Sequence, residues 1–100
     1  MAKKAFDLEE VVLIADMVRS RAEGLSRSEL IDSLNATAKA ARTVAGRHQG
    51  RRQNDTLAFA HRLNRIIQFL ETESLPPNVD EFDKALCEQV RANLKARDQW

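Results

Sequence analysis

Twenty-two consecutive residues, Asn35 to Thr56, hold one large apolar side chain, Val44, and five basic ones: Lys39, Arg42, Arg47, Arg51 and Arg52. Folding requires apolar surface to bury, and each large side chain taken out of water contributes about 1.5–3 kcal/mol. A stretch this poor in such side chains cannot be the centre of a core. It lies on a surface, orders against a partner, or stays mobile. On both sides of it leucine, isoleucine, valine and phenylalanine recur at helical spacing. The chain therefore draws its core from its two flanks and is left with a basic middle.

The core is modest. The 43% hydrophobic content includes fourteen alanines, and without these and Cys87 only twenty-eight large side chains remain. That suits one small helical domain over residues 1–100. Three glycines and two prolines are too few for an all-β chain, which turns about every 8–12 residues. Alanine, leucine, glutamate, lysine and arginine dominate and favour helix. The expected fold is all-α, a small bundle of four or five helices that is expected to form a homodimer.

Helix starts are marked by caps. Asp7-x-x-Glu10 and Ser26-x-x-Glu29 have the capping-box arrangement, with Phe6/Val11 and Leu25/Leu30 at the staple positions. In the first helix Leu8, Val11, Val12, Ala15, Val18 and Ala22 share a broad face, Leu13 and Met17 lie off it, and Gly24 ends it. In the second, Leu30, Ile31 and Leu34 lead into the small residues Ala38, Ala41 and Ala45. The spacing fits one helix from about Arg27 to Ala45. A break near Asn35–Thr37 fits as well, since Thr37 can cap a new helix.

Residues 46–54, with two glycines and no apolar side chain, read as a mobile basic loop. A third helix is expected from Asn54 or Asp55 to about Glu73, with Phe59, Leu63, Ile66, Ile67 and Leu70 on its core face and Phe69 off it. Residues 74–79 contain Pro76 and Pro77 and form a connector. Asp80 caps a last helix with a four-residue repeat of Phe82, Leu86, Val90 and Leu94.

The net charge of +1 conceals an uneven distribution: residues 1–38 carry −2, residues 39–65 carry +6 and residues 66–100 carry −3. The basic middle either lies against the acidic ends or faces a polyanion. A single cysteine excludes an intrachain disulfide and fits a reducing cytoplasm. The apolar run Val11–Ala15 is too short for a membrane span, and the basic start Met1-Ala-Lys-Lys has no secretory apolar region behind it.

Signals for chemistry are weak. His48, His61 and Cys87 lack metal-ligand spacing, and Gly46 and Gly50 belong to no phosphate-loop motif, so neither metal nor cofactor is expected. Arg42-Thr-Val-Ala-Gly-Arg-His48 resembles the Arg-x(4–6)-His pattern of helical HEPN-type ribonucleases, whose pair assembles an RNA-cleaving site in a dimer. Gly46 falls between the two residues and opposes a shared helix face. Residues 30–44 loosely resemble a helix-turn-helix, with Leu30, Leu34, Ala41 and Val44 at its buried positions and Ile31 where a small residue belongs.

The sequence points to a non-enzymatic regulator with no small-molecule substrate. Lys39, Arg42, Arg47, Arg51, Arg52, Arg62 and Arg65 are expected to form a helix-loop-helix surface for nucleic acid, DNA ahead of RNA, or for an acidic protein. The alternative is a protein-binding inhibitor that sequesters a transcription regulator or another complex. Leu13, Met17 and Phe69 are the expected apolar partner or homodimer contacts, with Trp100 a further spare apolar residue.

Overall fold

Three helices begin where a side chain takes over an orphan backbone N–H. The computed structural model describes residues 6–100 and contains four helices: α1 (Leu8–Ala22), α2 (Arg27–Ala45), α3 (Arg51–Thr72) and α4 (Glu81–Lys95). Met1–Lys4 lies outside the described residues. The Asp7 carboxylate accepts from Glu9 N at 2.9 Å. Ser26 and Glu29 form the reciprocal capping box, at 3.2 and 2.9 Å. Asp80 accepts from Asp83 N at 2.8 Å. Gly24, at φ +75°, provides the left-handed turn after α1.

α2 is continuous, so the helix-turn-helix and the five-helix alternative are both corrected. Thr37 does not cap a new helix, because its hydroxyl donates to Ser33 O at 3.0 Å inside the same one. Thr43 and Thr56 do likewise, to Lys39 O and Arg52 O. Such a bond satisfies the hydroxyl without ending the helix. The loop is also shorter than expected. α3 starts at Arg51, so the connection is 46–50, and Arg51 and Arg52 belong to a helix rather than to a loop.

α2 packs most extensively on α3, and α1 on α4, with lighter contacts joining the two pairs. The extents of 40 × 40 × 23 Å are those of two helix pairs stacked in two layers. Between them lie Val18, Leu34, Leu63, Ile66, Leu70, Leu86, Val90 and Leu94, all at most 1% exposed. The α4 repeat is buried as its spacing predicts. α1 differs from expectation. Its buried face is Val11, Ile14, Ala15, Val18 and Ala22, while Leu8 and Val12 are exposed. α1 is apolar on nearly every side, so spacing alone did not select the face that meets α4.

The end of the chain closes the far side of the bundle. Asp98 adopts φ +55° after α4, and Gln99 Nε2 donates to Ala22 O at 2.7 Å. The Trp100 ring lies 5.2 Å from Phe69 with the Arg27 guanidinium 4.6 Å from its centroid.

Candidate functional site

The α2–α3 hairpin runs past the common core. Ala38 is the last α2 residue in that core and Leu63 the first of α3. At 1.5 Å per residue the helices extend beyond them by about 10 Å on α2 and about 18 Å on α3. Only Ala45 and Ala60 are buried along this projection, small residues that allow close helix approach with little apolar area.

Lys39, Arg42, Arg47, Arg51 and Arg52 are all exposed on the projection. Asp55 is the sole acid between residues 39 and 61. It stands 4.0 Å from Arg51 Nε, with the two side chains 75% and 94% exposed, and at such exposure the pair contributes little. Lys39, Arg42, Arg47 and Arg52 have no ion-pair partner among the described residues.

The start of α3 adds to this field. Gly50, at φ +64°, is its N-cap and supplies no side-chain bond, and the first turn holds no acid. α1, α2 and α4 each have both a side-chain cap and an acid in the first turn. Arg51 and Arg52 instead place two guanidinium groups at the positive end of the helix dipole. Each costs about 0.3–1 kcal/mol there, a cost that a bound anion relieves. The positive φ of Gly50 marks this earlier helix start in the structure, and the glycine by itself did not distinguish it from a loop position.

Arg62 and Arg65 are not part of this tip, which corrects the expectation of a single seven-residue surface. Arg62 Nη1 lies 3.0 Å from Asp83 Oδ1 and 3.1 Å from Asp80 Oδ2, and its guanidinium sits 3.9 Å over the Phe82 ring. Arg65 Nε is 3.9 Å from Asp83 Oδ2. Asp83 is only 7% exposed, and a buried carboxylate is costly without such partners. The two arginines therefore fasten α3 to the start of α4. The Asp83 backbone N–H holds the Asp80 carboxyl below the usual carboxylate range; burial opposes this, and the hydrogen bond and charge of Arg62, with the charge of Arg65, add to the lowering.

The three apolar candidates also separate. Leu13 is 69% exposed and, with Leu8 and Val12, lines an open apolar concavity on α1. Met17 is half-buried against the core. Phe69 is 1% exposed, covered by Trp100 and with the Arg91 guanidinium 5.9 Å from its ring, so it is not a free partner contact. Arg42 lies in the last turn of α2 and His48 in the following loop, so they share no helix face. Burial, then the charges of Asp83 and Glu88, push the Cys87 thiol up to about 12, which keeps it protonated at neutral pH.

Among the described residues no group of three or more His, Cys, Asp or Glu is placed to hold a metal ion, and no helix is long and apolar enough to cross a membrane. Compared with known proteins, the chain matches no family model, no curated protein and no solved structure.

Two variants test these electrostatics. Asp80→Asn keeps a good N-cap and removes the charge. A carboxyl with a lowered folded pKa adds stability that is fully present above its unfolded value of 3.8 and is lost as pH falls through the folded one. In urea unfolding, wild type should exceed Asp80→Asn in stability at neutral pH, and the two should converge below about pH 4. A gap that ignores pH sinks the assignment. Arg52→Glu, which relieves the dipole clash, should raise the thermal midpoint by a few degrees. A lower midpoint contradicts the clash.

Proposed function

We propose that this chain is a small non-enzymatic regulatory protein that binds nucleic acid through the tip of its α2–α3 hairpin. The carrying observation is that four of the five tip cations are exposed without a carboxylate partner among the described residues. The same chain neutralises Arg62 with two aspartates. Leaving like charges together destabilises the free protein, and a phosphate backbone relieves that repulsion with release of its own counterions. DNA stands ahead of RNA, because sequence-specific RNA recognition relies on unstacked bases held against aromatic rings, and residues 35–56 contain no Phe, Tyr or Trp and only the half-buried His48. Binding should weaken steeply between about 50 and 200 mM salt. Combined replacement of Arg47, Arg51 and Arg52 by alanine should flatten the slope of log affinity against log salt by about 3, with helix content unchanged by circular dichroism. Salt-insensitive binding by wild type, or a slope the triple variant leaves intact, contradicts the proposal.

A separate observation favours the second reading, a protein-binding inhibitor, and supports the homodimer expected of the regulator as well. Leu8, Val12 and Leu13 are 44%, 47% and 69% exposed side by side on α1. Adjoining apolar groups on one helix are what a partner groove or a second copy covers. Light scattering should then report a dimer for wild type and a folded monomer for Leu13→Glu. Identical masses for both reject Leu13 as the contact.

A further inference from the structure

Resting on the nucleic-acid reading above, we infer that the hairpin tip grips the phosphate backbones of a double helix, both strands at once, and reads neither single strands nor base sequence. The aromatic residues argue against single strands, whose binding proteins stack bases on exposed rings. Phe6 and Phe82 meet edge to face at 6.0 Å beside Arg62, and Phe69 and Trp100 meet at 5.2 Å at the opposite end of α3. Of the Phe and Trp rings Phe59 is nearest to the tip, yet it is half-buried against the core and about 12 Å along α3 from Arg51, and the one imidazole in the loop, His48, is half-buried.

The width of the tip excludes insertion. Two helices side by side, each about 10–12 Å across, make a tip about 20 Å wide. The major groove of B-DNA is about 12 Å wide and the minor groove about 6 Å. A two-helix tip therefore rests across the rims of a groove, where the phosphates of opposite strands stand. Its cations are distributed to match: Lys39 and Arg42 on α2, Arg51 and Arg52 on α3, and Arg47 in the loop between them. None of the five is held by a side-chain hydrogen bond among the described residues, whereas the clamp residue Arg62 is. Base reading requires a guanidinium fixed in orientation, but attraction to phosphate does not.

The test is fluorescence anisotropy of the full chain with two unrelated DNA duplexes, their separated strands and one RNA duplex, all of equal length. The two DNA duplexes should bind within about threefold of each other, whereas base-reading proteins separate specific from unrelated sites by about 10³-fold or more. Single strands should bind at least tenfold more weakly. Affinity for duplex should fall on the order of 10²- to 10³-fold between about 50 and 200 mM salt. Lys39→Ala with Arg42→Ala, and Arg51→Ala with Arg52→Ala, should each lower the salt slope by about 2, since each pair serves one strand. The RNA duplex distinguishes the two sources of the same chemistry. Equal affinity assigns the site to double-helical phosphate in general, a preference for DNA assigns it to the B-form groove, and either result supports the inference. Single strands bound as tightly as duplex, a strong preference between the DNA sequences, or an effect from only one of the two pairs overturns it while leaving the nucleic-acid reading intact. No binding to any of these probes at about 50 mM salt overturns that reading itself.

Discussion

The contact of α2 with α3 supports both the core and the tip, and its character changes along its length. Near the core Leu30 and Leu34 share one apolar cluster with Leu63, Ile66, Ile67 and Leu70. Toward the loop the buried residues become Ala45 and Ala60. Alanine offers little area to bury, so the outer turns depend on close backbone approach and on high helix propensity. Threonine hydroxyls bonded within the helices keep those turns free of competing caps. The product is a two-helix projection with regular backbone and light packing, on which charged side chains are carried clear of the rest of the molecule. α1 and α4 cover only its base.

Charge is partitioned by the same geometry. α3 is long enough to meet two environments. Its middle passes the start of α4, where Asp80 and Asp83 neutralise Arg62 and Arg65. Its first turn holds no acid, and among the described residues the ion pair it makes is with the solvated Asp55. Internal neutralisation and an open basic patch are therefore both present, about three helical turns apart. The clamp fixes α3 against α4 and so the direction in which the tip points. Arg42, Arg47 and Arg52, without an ion-pair partner among the described residues, work against the stability of the free protein through like-charge repulsion.

Much of the fold was legible in order along the chain. Asp7, Ser26 and Asp80 each cap the helix they announced, and Phe82, Leu86, Val90 and Leu94 are buried as their repeat implies. These are local effects, decided within about one turn of backbone. The basic tip was legible for a related reason, since a segment with nothing to bury has no route into the core. Its boundaries were less so. Arg51 and Arg52 are helical because Gly50 reverses the chain at positive φ, and glycine alone does not say whether it ends a loop or lies within one.

Residues with two plausible environments depended on distant partners. Phe69 is off the main stripe of α3 and is buried, with Trp100, far along the chain, packed on its ring and the Arg91 guanidinium 5.9 Å from it. Arg62 and Arg52 have the same chemistry, yet one meets Asp80 and Asp83 and the other meets solvent. Along α1, Leu8 and Ile14 are equally apolar, and the packing of α4 decides which is covered. The sequence by itself determined the all-helical class, the caps and the basic segment that cannot be core, because propensity, capping and lack of apolar surface act locally. Only the tertiary structure decided which apolar face stays open and which arginines remain unpaired, because burial and neutralisation require a partner that local sequence does not supply.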